Sequence, residues 1–171
     1  MKTRWLGYSL LVSGFVFLPP PSARTDGNDD NRFRATLSGS NEVPAISTLA
    51  RGDFRAWLTG PETLSYRLRY SGLAPSTLFA HIHFGQHDVN GGVSAFLCGG
   101  STKPPCPNLS GEVTGTIVPA DVIGPAGQGI AAGEFAELLK QIRRGDTYAN
   151  VHTTPFPTGE IRGQIKDHDD D

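Results

Sequence analysis

The chain carries 171 residues, with 15 Lys and Arg against 17 Asp and Glu for a formal net charge of -2 at pH 7. That length suits one domain with a single adequate core. The basic residues are spread along the chain rather than gathered in one segment, which argues against nucleic acid as the partner.

The opening MKTRWLGYSLLVSGFVFLPPPSA, residues 1–23, sets Lys2 and Arg4 ahead of an apolar run from Leu6 to Leu18. Such a run is too short to span a bilayer comfortably, and it ends in the small residues Ser22 and Ala23, as a secretory signal peptide does. The rest of the chain has no second apolar run of that length and no cysteine near the cut to accept a lipid. The mature chain is therefore expected to be secreted or periplasmic, with no membrane span. Residues 24–31, RTDGNDDN, follow as a polar and flexible N-terminal tail.

From residue 32 to 166 the apolar period is mostly two, which predicts a β domain. Phe33, Ala35 and Leu37 alternate with Arg34 and Thr36, and Leu64, Tyr66, Leu68 and Tyr70 alternate with Ser65, Arg67 and Arg69. Further strands are expected over Asp53–Leu58, Thr77–Phe84, Gly92–Leu97, Gly111–Val118, Thr147–His152 and Glu160–Ile165. Gly, Pro or Asn clusters punctuate nearly every gap, so the expected fold is an all-β antiparallel Greek-key sandwich or barrel of about eight strands.

Cys98 and Cys106 are the only cysteines, in CGGSTKPPC. Their C-x7-C spacing matches no zinc or redox motif, and an exported chain meets oxidising conditions, so a short disulfide-closed loop is expected. PADVIGPAGQGI, residues 119–130, is too rich in Pro and Gly for regular structure. Beyond it Phe135, Leu138, Leu139 and Ile142 recur at helical spacing, Arg143 and Arg144 favour the C-terminal end and Gly145 can stop the run. One crossover helix is thus predicted near 132–144. Residues 167–171 form an acidic C-terminal tail of solvated charge, His168 included.

The chemistry lies in the strands. In AHIH, residues 80–83, alternation sends Ala80 and Ile82 to the core and places His81 and His83 together on the outer face, about 6.5–7 Å apart along the backbone. In TYANVH, Ala149 and Val151 fit the core phase, leaving Tyr148, Asn150 and His152 outside. If these two strands are neighbours, three neutral imidazoles converge, a donor set that suits Cu(II) or Zn(II). Glu160 or His87 is the candidate fourth ligand. The plainer reading makes the same histidines hydrogen-bonding members of a polar network. No nucleophile elbow, HExxH helix or phosphate-binding glycine loop is present, and no carboxylate pair can be nominated for glycoside hydrolysis.

LSGSNEVPAI (37–46), LSYRLRYSGL (64–73), AHIH (80–83), the segment from GTIV and PADVIGPAGQGI into the helix, and YANVHTTPFPTGEIRGQI (148–165) together resemble the CHRD family, named after chordin and also found as free-standing exported bacterial domains. The resemblance implies an extracellular all-β fold over 32–166 and supplies no agreed catalytic residue. In chordin the domain belongs to an extracellular antagonist of growth factors, a binding role that does not simply transfer to a free-standing domain, so the identity of any protein partner here is left open. More locally, a His-x-His strand with a histidine on a later strand is similar to the copper site of copper/zinc superoxide dismutases. That likeness implies His81, His83 and His152 as copper ligands and Arg162 as a guiding cation, but the zinc-binding loop is missing apart from His87 and Asp88.

Three functions follow. The leading one is a non-enzymatic exported binding or scaffold domain holding copper or zinc. Its rivals are a copper-dependent redox enzyme of dismutase type and a metal-free protein-interaction module.

Overall fold

The computed structural model describes Met1, residues 31–100 and residues 102–168. The expected signal peptide and residues 24–30 lie outside the described residues, as does the end of the acidic tail from residue 169. Nine strands follow in chain order: β1 (Arg32–Ser38), β2 (Arg51–Gly60), β3 (Thr63–Ser71), β4 (Thr77–Phe84), β5 (Gly92–Cys98), β6 (Gly111–Ile117), β7 (Thr147–Thr153), β8 (Ile161–Gln164) and β9 (Lys166–Asp167). Every pairing is antiparallel, in the order β5-β4-β7-β8-β1-β2-β3-β6, with β9 beside β1. The eight expected strands are all present. At the two ends of the domain, Lys166 and Asp167 pair with Arg34 and Phe33, and the Asn31 carbonyl accepts the Leu58 N–H at 3.0 Å.

The sheet curls into a nearly closed barrel. Its interior is built by the alternation read from sequence: Phe33, Ala35 and Leu37 from β1, Leu64, Tyr66 and Leu68 from β3, Ala80 and Ile82 from β4, and Ala149 and Val151 from β7 are all buried. The seam lies between β5 and β6, which touch without a hydrogen-bonded ladder. Side-chain links hold it. The Tyr66 hydroxyl donates to the Leu97 carbonyl at 2.7 Å, and the disulfide Cys98–Cys106 fastens the end of β5 to the segment that leads into β6. Gly115, opposite Tyr66 in the ladder, makes room for the phenol: a Cβ there would lie 2.5 Å from its oxygen.

Helix α1 (Phe135–Arg143) is shorter than the predicted 132–144. Gly133 adopts a φ of +87° and the Glu134 carboxylate accepts the Ala131 N–H, so the chain turns before it can coil. Gly145, with a φ of +74°, ends the helix by donating its N–H to the Ile142 carbonyl. Phe135, Leu138, Leu139 and Ile142 bury the predicted apolar face in the core.

The barrel wall is not uniform. On β1 and β3 buried and accessible residues alternate, as a half-buried sheet requires, and β6 alternates half-buried with exposed residues before the buried Ile117. Every residue of β7 is buried, and β4 has four buried residues in succession, from Ala80 to His83. A second layer of loops therefore covers the outer face of β4, β7 and β8.

Candidate metal centre

That covering layer corrects the expected exposure of the histidines. His81, His83 and His152 are 4%, 8% and 5% exposed, although each points away from the barrel core. The register explains their convergence: β4 and β7 are adjacent, with Phe79 opposite His152, His81 opposite Asn150 and His83 opposite Tyr148. Diagonal neighbours across such a ladder are close enough for large side chains to meet. One ring nitrogen from each histidine lies within 4.8 Å of those of the others, so the three can hold a metal ion.

Hydrogen bonds assign the tautomers. His83 Nδ1 lies 3.0 Å from the Gly91 carbonyl and His152 Nδ1 lies 3.0 Å from the Pro157 carbonyl. A carbonyl only accepts, so both Nδ1 atoms carry the proton and both Nε2 atoms are unprotonated. His81 Nδ1 meets His152 Nε2 at 3.1 Å, so it donates to that nitrogen, while His83 Nε2 is buried beside the Asn150 side chain without a hydrogen bond of normal geometry. Asn150 Oδ1 is a second buried acceptor without a partner, while its Nδ2 donates to Glu42 Oε1 at 2.9 Å. Carbonyls that orient the far nitrogen are what metal-ligating histidines usually require.

Aromatic rings enclose the cluster. Phe79 lies 4.8 Å from the rings of both His81 and His152, and Phe96 lies 4.3 Å from that of His81. Tyr148 stacks on His83 at 4.7 Å with an interplanar angle of 3°, and the Arg162 guanidinium sits 3.5 Å from the centre of the Tyr148 ring.

The two candidate fourth ligands are not part of this group. Glu160 is fully buried, but its carboxylate accepts hydrogen bonds from Thr48 Oγ1 (2.9 Å), Thr153 Oγ1 (2.8 Å) and the Ala74 N–H. It serves as a knot between loops. His87 is exposed and its Nδ1 lies 2.9 Å from Asp88 Oδ2. Arg162, the expected guiding cation, is 2% exposed, so it faces no solvent channel.

Burial holds the imidazoles neutral. It pushes His81 down from 6.5 to about 3, helped by the neighbouring His152 and His83, and pushes His152 down to about 4 against the opposing pull of the Pro157 carbonyl. Burial also lowers His83, with Arg162 adding to it and the Gly91 carbonyl and the Asn150 side chain resisting. Glu42 moves the other way: burial outweighs Arg162 and Asn150 and raises it to about 7.

These shifts have opposite signs in stability. A histidine lowered in the folded state contributes stability that is whole above pH 6.5 and lost as the pH falls toward 4 and 3, because the unfolded chain takes up the protons first. Glu42 contributes stability below its ordinary 4.5 that is lost as the pH rises through 7. Three imidazoles outweigh one carboxyl. The urea midpoint of the metal-free protein is expected to be lower at pH 5 than at pH 7, and an unchanged or higher midpoint at pH 5 would contradict the burial of the cluster.

No signal in the sequence could have revealed the carbonyls of Gly91 and Pro157, since every residue carries one. The stacked Tyr148 was legible only as an outward neighbour of His152.

An antiparallel β-barrel with a loop-covered trio of histidines on two adjacent strands is thus the class of protein that the fold and site define. The profile of the CHRD domain matches residues 33–165, and the chain belongs to that family. No curated protein and no solved structure matches it. Among the described residues no helix is long and apolar enough to cross a membrane.

Proposed function

We propose that this chain is an exported CHRD domain that binds a copper or zinc ion through His81, His83 and His152 and acts as a binding or scaffold module. The observation that carries the reading is the pair of unprotonated Nε2 atoms on His83 and His152, each set by a carbonyl bond on the opposite ring nitrogen, with His152 Nε2 accepting only from another histidine of the cluster and His83 Nε2 making no hydrogen bond of normal geometry. A buried, unpaired acceptor is costly, and a cation relieves that cost. Binding would displace the proton now shared between His81 Nδ1 and His152 Nε2. Export is supported by the signal-like opening and by the disulfide, which persists in oxidising compartments.

A titration of the metal-stripped protein with Zn(II) and with Cu(II) tests it. Wild type and His87→Ala are expected to bind one equivalent and to gain about 2.7 kcal/mol of stability at free metal a hundredfold above the dissociation constant. His83→Ala is expected to gain none. Equal binding in His83→Ala and wild type overturns the site, and absence of binding in wild type leaves the metal-free interaction module.

One observation favours the redox rival. Three protein ligands without a fourth leave a coordination position free, as catalytic centres do. That reading expects a copper-loaded protein whose Cu(II) is reduced and reoxidised by superoxide, an activity lost in His152→Ala. The loop cover over the cluster weighs against it.

A further inference from the structure

The arginines that are scattered in sequence gather in space. Arg34, Arg55 and Arg67 occupy matching positions of β1, β2 and β3, and Lys166 of β9 extends the same row beyond Arg34. Adjacent strands lie about 4.8 Å apart, so four cations stand across about 14 Å of sheet. Arg32 and Trp57 are paired in the ladder one step over in the outward phase. The outer surface here is concave: Arg32, Arg34, Arg55, Arg67, Trp57 and His168 line a cleft of about 370 Å³.

Like charges directly opposite each other repel, and this row is incompletely compensated. Asp53 answers Arg55 at 3.3 Å, and Arg69, one step away, is taken by Glu112. Arg34 is engaged within the protein. Arg67 has no ion pair among the described residues, and its Nε is buried without a hydrogen-bond partner while the residue lines the cleft. A chain of formal charge -2 thus concentrates cations on one face.

We infer that this cleft on the outer face of β1, β2 and β3 binds an acidic polysaccharide. Guanidinium forks match carboxylate and sulfate groups with two parallel hydrogen bonds. Trp57, 39% exposed beside Arg32, offers a flat apolar surface against which a sugar ring can lie. A nucleic acid fits less well. Single strands use several aromatic platforms, and Trp57 is the one exposed Phe, Tyr or Trp among the described residues that line the cleft. Duplex grooves take a helix or ribbon that this concave sheet face does not present. The site is independent of the histidine cluster and of any metal.

Binding of polygalacturonate and of dextran sulfate to the full chain, followed by Trp57 fluorescence and by retention on each immobilised polymer, tests the inference and separates the carboxylate source from the sulfate one. At least one polymer is expected to bind in a salt-sensitive manner, and neutral dextran is not. The variant Arg32→Ser, Arg55→Ser, Arg67→Ser is expected to lose about tenfold or more in affinity while keeping its thermal midpoint. Arg144→Ser, which removes an exposed helix-end cation, is expected to bind as wild type. Trp57→Ser is expected to weaken binding without altering its salt dependence. The inference is overturned if the triple variant binds like wild type, if Arg144→Ser loses as much as the triple variant, or if single-stranded or duplex DNA binds more tightly than both polymers.

Discussion

Replacing Glu160 with alanine is expected to destabilise the protein by about 3–5 kcal/mol. The side chain is fully buried and gathers Thr48 from the loop after β1, Ala74 from the connection between β3 and β4, and Thr153 from the end of β7. Hydrogen bonds to a charged acceptor contribute about 1.5–3 kcal/mol each, and alanine would strand three donors in the interior. Part of this loss is offset, because the carboxylate no longer needs to be desolvated. Urea denaturation reads the effect directly. A loss below about 1 kcal/mol would show that water replaces the carboxylate and that the knot is not structural. The same variant separates two roles of the residue. Under conditions where it stays folded, Glu160→Ala is expected to retain the metal equivalent, and loss of that equivalent would return Glu160 to the ligand set.

Arg162→Met is expected to cost about 2–4 kcal/mol, with the damage concentrated in one loop. The guanidinium donates to Gln86 O at 3.0 Å, Val89 O at 2.9 Å and Asn90 Oδ1 at 3.3 Å, so it pins the turn between β4 and β5 from beneath. Methionine keeps much of the volume and supplies none of the donors. Amide hydrogen exchange should rise over residues 85–91 well before it rises in the barrel strands. The variant also removes the cation that helps to hold His83 below its ordinary value, so His83 is expected to titrate upward in the metal-free protein. Unchanged exchange across 85–91 would mean that the loop is held by other contacts.

The strands were legible because apolar and polar residues alternate where one face meets the core and the other meets water. Ala80 with Ile82, and Ala149 with Val151, set the inward phase of β4 and β7 and thereby placed all three histidines on one side. What sits on that side was not legible. Alternation distinguishes inward from outward, but a loop lying over the outward face leaves the period unchanged, so buried histidines read like exposed ones. Glu160 misled for a related reason. Its neighbourhood in sequence, beside β8, suggested the histidine face, whereas its carboxylate meets Thr48 and Ala74, residues far away along the chain. The arginine cleft was invisible for the converse reason: Arg34, Arg55 and Arg67 are distant in sequence and become neighbours only through the register of three strands.

The seam between β5 and β6 makes the barrel's integrity depend on its surroundings. Both strands are terminal in the hydrogen-bonded path, so each has backbone groups with no ladder partner on one side. Free sheet edges recruit further strands, including those of another copy of the same chain. With Cys98 and Cys106 bonded, the flank of β5 is kept against the segment before β6; under reducing conditions the gap is spanned by hydrogen bonds alone, from the phenol of Tyr66 to Leu97 and from Lys103 to the Thr116 carbonyl. A thiol-rich compartment therefore threatens this protein first with self-association through strand addition, before the loss of its core.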